Sequence, residues 1–141
     1  KSPTQLSVLS GHKDSVESIA FSADGKMLAS GSCGNQHKVG GFVECVGGEI
    51  ILWDVSNPKS PMQLSVLSGH ESNVRSVAFS ADGKLASGSD DKTIILWDVD
   101  VESWKKSACQ IVRRNLTKAE WKLYLSEEPY RKTCEEFEEG E

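Results

Sequence analysis

An all-β fold of antiparallel four-stranded units, used twice and followed by a short helical tail, is what the sequence predicts. Three observations carry that expectation. The segment QLSVLSGH stands at 5–12 and returns, letter for letter, at 63–70. VESIAFSADGKMLASGS at 16–32 is matched by VRSVAFSADGKLASGS at 74–89. Each copy closes in IILWDV, at 50–55 and again at 94–99. A period of this length marks stacked repeats, where one unit alone cannot bury its apolar face. Similarity this close fits either recent duplication or strong selection for one unit geometry.

The elements follow in order. Val16, Ile19 and Phe21 give an apolar run with partial alternation, echoed by Val74, Val77 and Phe79, and each run predicts a first strand. Ala23-Asp24-Gly25-Lys26 and Ala81-Asp82-Gly83-Lys84 carry the Asp-Gly pair of hairpin turns, where φ becomes positive. Second strands are expected at 27–32 and 85–89, and third strands at Ile50–Val55 and Ile94–Val99, rich in β-branched and aromatic residues. Both QLSVLS runs supply a fourth strand. Polar turns leave no room for crossover helices, so the sheets are antiparallel. The second copy lacks a counterpart of Met27, a slip that reverses strand facing unless a bulge or turn absorbs it.

Composition narrows the function classes. The 141 residues carry a net charge of -5 and are 38% hydrophobic, so nucleic acid, which draws a basic face, is not an expected partner. No apolar stretch is long enough for a membrane span, and no charged-then-apolar leader opens the chain, so no membrane partner is expected. The start at Lys1 predicts a piece of a longer protein. Four cysteines, Cys33, Cys45, Cys109 and Cys134, include no close pair. Free thiols in a reducing cytoplasm are the expectation, with a Cys33–Cys45 bridge across an inserted loop as the alternative.

The ordered series of Gly-His, Asp-Gly turn, Ser-rich strand and Trp-Asp, present twice over roughly 5–100, resembles the WD40 repeat family. That resemblance implies β-propeller blades, four-stranded sheets packed radially around a channel. It also implies a buried hydrogen-bonded tetrad, carried in the second repeat by His70, Ser87, Asp91 and Trp97. The imidazole, hydroxyl, carboxylate and indole N–H satisfy one another, so these residues are expected to be structural. A nucleophilic Ser-His-Asp triad is the rejected rival, because no nucleophile elbow is present. The first repeat offers an incomplete set, His12, Ser30 and Trp53. Its acid is missing, since Gly47 stands six residues before Trp53.

Between Ser32 and Ile50 lies CGNQHKVGGFVECVGGE, where the second copy has only DDKT. Gly40, Gly41, Gly47 and Gly48 flank Phe42 and Val43, which are expected to cap a small hairpin beyond the blade edge. A tolerated surface insertion and a binding loop with His37, Phe42 and Val43 are the competing readings. Cys33, His37 and Cys45 would give only three metal ligands at unconventional spacing, so no metal is expected.

After Val101 the pattern turns helical. Trp104, Ala108, Ile111 and Val112 recur at helical spacing. Thr117 with Glu120 forms a capping-box signature ahead of Ala119, Trp121, Leu123, Tyr124 and Leu125, and Pro129 blocks extension. Trp104, Trp121 and Tyr124 are expected to pack the helices, Arg113, Arg114 and Lys118 to make a solvated basic spot, and the acidic end at 135–141 to be disordered. Residues 109–134 also resemble the tail that closes large bacterial, especially cyanobacterial, WD-repeat proteins.

The organisation expected is therefore two blades in 1–100, with repeat 1 at about 5–55 (insertion 33–49) and repeat 2 at about 63–99, then a helical tail at 101–134. The first QLSVLS belongs to a preceding blade, 16–68 completes one blade, and 74–99 gives three strands of another. Open edges invite self-association or a protein partner. The function expected is a non-catalytic interaction scaffold without cofactor, with no catalytic residues. The alternative is the ligand-sensing regulatory end of a bacterial signalling NTPase, although the chain carries no phosphate-binding loop of its own.

Overall fold

The computed structural model describes residues 2–124, 130 and 132–138. Strands β1 (Val16–Phe21), β2 (Met27–Val39), β3 (Phe42–Asp54) and β4 (Met62–Ser68) form one antiparallel sheet in that order. Strands β5 (Val74–Phe79), β6 (Leu85–Ser89) and β7 (Ile94–Trp97) form a second, and helices α1 (Val101–Val112) and α2 (Lys118–Tyr124) follow. The chain divides into two compact units, residues 1–98 and 99–141.

The residue missing from the second copy is absorbed by the turn. Ser22 N–H donates to the Met27 carbonyl at 2.9 Å, whereas Ser80 N–H donates to the Lys84 carbonyl at 2.8 Å. Past that point the registers coincide: Phe21 faces Leu28 as Phe79 faces Leu85, and Ser30 opposes Ile51 as Ser87 opposes Ile95. Strand facing is preserved.

The two blades bury a shared apolar layer. Ala29, Ile50 and Leu52 of the first and Val74 and Val77 of the second are almost fully buried. Each large aliphatic side chain removed from water in this way contributes about 1.5–3 kcal/mol. Close approach requires glycine on the first blade. A Cβ on Gly31 would stand 2.7 Å from Val74 Cγ1, and one on Gly48 would stand 2.2 Å from the Ser72 carbonyl oxygen.

The two copies of QLSVLS have different fates. Residues 63–68 lie in β4 against β3, whereas residues 5–10 form no strand. Identical sequence rules out a difference in propensity. A strand exists only where a neighbour completes its hydrogen bonds, and among the described residues nothing pairs with the first copy.

Both pairs of cysteines are disulfides, Cys33–Cys45 and Cys109–Cys134, with Cα separations of 5.8 and 5.5 Å. The expectation of free thiols is thereby corrected. Cys33–Cys45 is the alternative pairing across the insertion, whereas Cys109–Cys134 has no signal in the spacing and is brought together by the fold.

In the second unit α1 ends with Arg113 in the left-handed region (φ 55), its N–H bonded to the Cys109 carbonyl at 2.8 Å. Thr117 and Glu120 close a reciprocal capping box at 3.1 and 2.9 Å. Arg114 is not a free basic spot, because it grips Glu120 through two bonds of 2.7 and 2.8 Å. That contact, above all, lowers the Glu120 carboxyl to about 2. Trp121 is buried and meets Tyr130 edge-on at 5.5 Å.

Asn115 is the hub of this unit. The carbonyl oxygens of Cys134, Phe137 and Glu138 share the two hydrogens of its amide nitrogen, and its oxygen accepts from Cys134 N–H at 2.7 Å. The main-chain carbonyls of Phe137 and Glu138 are thus engaged by the Asn115 side chain. The side chains of Trp104 and Tyr124, together with Leu125, Pro129 and residues 139–141, lie outside the described residues.

Replacing Gly48 with Ala forces a methyl group against the Ser72 carbonyl. The unfolding free energy should fall by about 1–3 kcal/mol, as for other overpacked sites. Urea denaturation followed by tryptophan fluorescence checks this.

Candidate functional site

In the second blade the four expected residues meet. His70 Nδ1 lies 2.8 Å from Asp91 Oδ2, His70 Nε2 lies 2.8 Å from Ser87 Oγ, and Trp97 Nε1–H donates to Ser87 Oγ at 2.8 Å. One hydrogen assignment satisfies the whole chain. The indole donates to the serine, the serine to Nε2, and Nδ1–H to the carboxylate. Thr93, which sequence reasoning passed over, also serves Asp91: its hydroxyl donates to Asp91 Oδ1 at 2.6 Å and its N–H donates at 2.8 Å. Glu71 N–H adds a bond to Oδ2 at 2.9 Å. These donors, the Thr93 hydroxyl first, hold the Asp91 carboxyl well below the usual carboxylate range.

The order of contacts is that of a hydrolytic triad, yet the serine is unsuited to attack. Ser87 is only 2% exposed, and its oxygen already accepts the indole proton. Chemically, the arrangement ties two strands of the sheet to the segment entering it.

The first blade contains a complete network too. His12 Nε2 lies 2.6 Å from Ser30 Oγ, and Trp53 Nε1–H donates to Ser30 Oγ at 2.8 Å. The missing acid is supplied by Glu49, whose Oε1 lies 2.9 Å from His12 Nδ1. This corrects the reading of His12, Ser30 and Trp53 as an incomplete set. Counting back from the tryptophan, Glu49 occupies the place of Thr93. Counting forward from the serine, Gly34 occupies the place of Asp91. A Cβ on Gly34 would stand 2.9 Å from the Glu49 side chain, so the vacated position makes room for the longer acid. The carboxylate has moved to the facing strand.

The insertion continues β2 and β3 into a two-stranded arm. His37 pairs with Glu44 and Lys38 with Val43, and the chain reverses through Gly40 and Gly41 at φ 56 and 89, angles that side chains disfavour. The Cys33–Cys45 disulfide crosses its base. Phe42 and Val43 stand at the tip, 77% and 53% exposed, and His37 is exposed beside them. Phe42 and Val43 are consecutive in a strand, so they point to opposite faces of the arm. With both thiols bonded, Cys33, His37 and Cys45 offer one imidazole and no metal-ligand set.

The family model described as "WD domain, G-beta repeat" matches residues 3–39 and 61–98. The chain belongs to the WD-repeat family. Among its relatives, "Probable cytosolic iron-sulfur protein assembly protein 1" of Mycosarcoma maydis is 32% identical over 109 residues, covering 66% of this chain and 24% of the relative. "Target of rapamycin complex subunit wat1" of Schizosaccharomyces pombe is 36% identical over 98 residues, covering 68% and 26%. A 33-residue stretch is 73% identical to "Vegetative incompatibility protein HET-E-1" of Podospora anserina, covering 23% of this chain and 2% of that one. The solved WD40 repeats of RRP9 superpose with a TM-score of 0.50 at 28% identity, over 64% of this WD-repeat chain and 23% of theirs. The chain thus spans about a quarter of the length of the first two relatives. All three relatives are eukaryotic, and none supports the bacterial source suggested by the tail.

Two outcomes test the network. Ser87→Ala strands the Trp97 and His70 groups and should cost about 1–3 kcal/mol per unsatisfied group, read from chemical denaturation. Asp91 has a folded-state pKa below its ordinary 3.8, so its stabilising effect is present above that value and lost as pH falls below it. The acid melting curve should therefore steepen in that range, and Asp91→Asn should flatten it.

Proposed function

We propose that this WD-repeat chain is a non-catalytic interaction scaffold whose first specific contact is the arm at 33–49. The observation that carries this reading is Phe42, 77% exposed at the tip of an arm that a disulfide fastens at its base. An exposed aromatic on a stiff support loses little entropy on contact, which is what an anchor residue needs. The partner class is protein. His37, Phe42 and Val43 are the contact residues proposed, and the tetrads of both blades act as framework. One relative is by name a complex subunit, which accords with this reading.

The regulatory end of a bacterial signalling NTPase is not favoured, because the relatives named are eukaryotic and the family match ends at residue 98. No helix among the described residues is long and apolar enough to cross a membrane. The two disulfides suit an oxidising compartment better than the cytoplasm expected for free thiols.

Peptides selected by phage display on the full chain should lose affinity by about tenfold or more on Phe42→Ser, with unchanged circular dichroism. Selection of none, or affinity indifferent to Phe42, removes the arm from the proposal. A hydrolytic activity abolished by Ser87→Ala but not by an equally destabilising core substitution overturns the scaffold reading itself.

A further inference from the structure

The contact between the two blades has a second, unfilled copy on this molecule. In the filled contact, the face of the first blade bearing Ile50 and Leu52 is 1% and 0% exposed. The same residues of the second blade, Ile94 and Leu96, are 77% and 73% exposed. Gly31 lies against Val74, while its counterpart Gly88 meets nothing within 4 Å. On the opposite side the roles reverse. Val74 and Val77 are 0% and 6% exposed, and their counterparts Val16 and Ile19 are 50% and 61% exposed. The chain therefore displays both halves of an interface that it also contains in assembled form.

The polar contacts follow the same logic. Across the filled contact Ser18 Oγ accepts from Val77 N–H at 3.2 Å, and Arg75 pairs with Glu17 at 3.2 Å. In the unfilled one Ser76 and Ile19 hold the corresponding places, and Arg75 would again face Glu17, with the charges still opposite. The strand edge repeats as well. β3 and β7 share the sequence IILW, and β3 carries a QLSVLS strand on its outer edge, whereas β7 has no second neighbour among the described residues. An unpaired QLSVLS is present at 5–10, with Ser7 and Leu9 partly buried like Ser65 and Leu67.

We propose that the second blade of one chain receives the first blade of another copy of this chain, with residues 5–10 of the incoming copy pairing as the fourth strand on β7. The register follows from the existing pairs Ile50 with Leu67 and Leu52 with Ser65, and places Leu9 opposite Ile94 and Ser7 opposite Leu96. The contact is head-to-tail, so it propagates until the rotation closes. Propellers typically hold four to eight blades, about two to four copies of a two-blade chain. This inference deepens the scaffold reading, since an assembled ring presents complete faces, but its test needs no partner.

The full chain is examined by light scattering over a range of concentrations. A discrete multiple of 15.4 kDa is expected. Ile94→Arg with Leu96→Arg should return it to monomer with unchanged circular dichroism, because both positions are exposed in the single chain. Ser7→Cys chains mixed with Leu96→Cys chains should give a reducible covalent pair containing one of each, and neither variant alone should do so. A monomer at every concentration overturns the proposal and leaves the face to some other blade. An oligomer that survives the double arginine variant, or that never links position 7 to 96, overturns it equally. Peptide binding at Phe42 is unaffected by any of these results, so the two readings fail separately.

Discussion

A sheet only four strands wide has two faces, and this repeat makes both of them apolar. Such a sheet is stable only when sandwiched, and that constraint shapes everything else in the blade pair. The first blade is covered on the Ile50 and Leu52 face by Val74 and Val77 of the second. Glycine follows from the same demand. Gly31 and Gly48 lie where the neighbouring blade comes too near for any side chain, so the sandwich, not turn geometry, dictates those residues. Where no neighbour arrives, an identical sequence stays exposed, which shows burial here to be a property of position in the stack.

Close packing of apolar faces raises the problem of the polar groups caught at its margin. An indole N–H and an imidazole leaving water each require a partner, and leaving either unmatched costs more than the bond itself contributes. The repeat answers with a serine that accepts from the indole and donates to the imidazole, and with an acid that receives the remaining proton. The two blades place that acid differently, Asp91 in a tight turn and Glu49 on a strand facing Gly34. What is held constant is the position of the carboxylate oxygen, reached by a short side chain from one strand or a longer one from the other. The donors around Asp91, led by the Thr93 hydroxyl, keep it charged.

Most of the fold was legible because the chain repeats itself. Gly-His, Asp-Gly, the serine strand and Trp-Asp recur in order, and the tetrad residues of the second blade follow from the resemblance of that series to WD40 repeats. Glu49 is masked by the insertion: counted back from Trp53 it stands where the second copy has Thr93, while Gly34, counted forward from Ser30, stands where the second copy has Asp91. The Cys33–Cys45 bridge is the alternative that the insertion offers, but the second disulfide has no such signal. Cys109 and Cys134 are brought together by the way Asn115 gathers the chain around itself, and no local pattern encodes that. Residues 5–10 form no strand for the reason their assignment to a preceding blade implies, since only a neighbouring strand can complete their hydrogen bonds.

Near-identity of the two repeats carries a consequence that more diverged repeats avoid. When every blade differs, each interface can be made specific to one neighbour by clashes and unlike charges. Here the apolar residues on the two sides of the stack are nearly the same, Ile19 standing where the second copy has Val77, so hydrophobic complementarity does little to tell one blade from the other. What does differ is charge: Glu17 in the first copy and Arg75 in the second meet across the filled contact. A first blade set against a first blade would bring two acids together, and a second against a second would bring two guanidinium groups. An exposed pair of this kind contributes little energy. It does penalise the wrong order, and so favours strict alternation of the two blade types wherever such sheets stack.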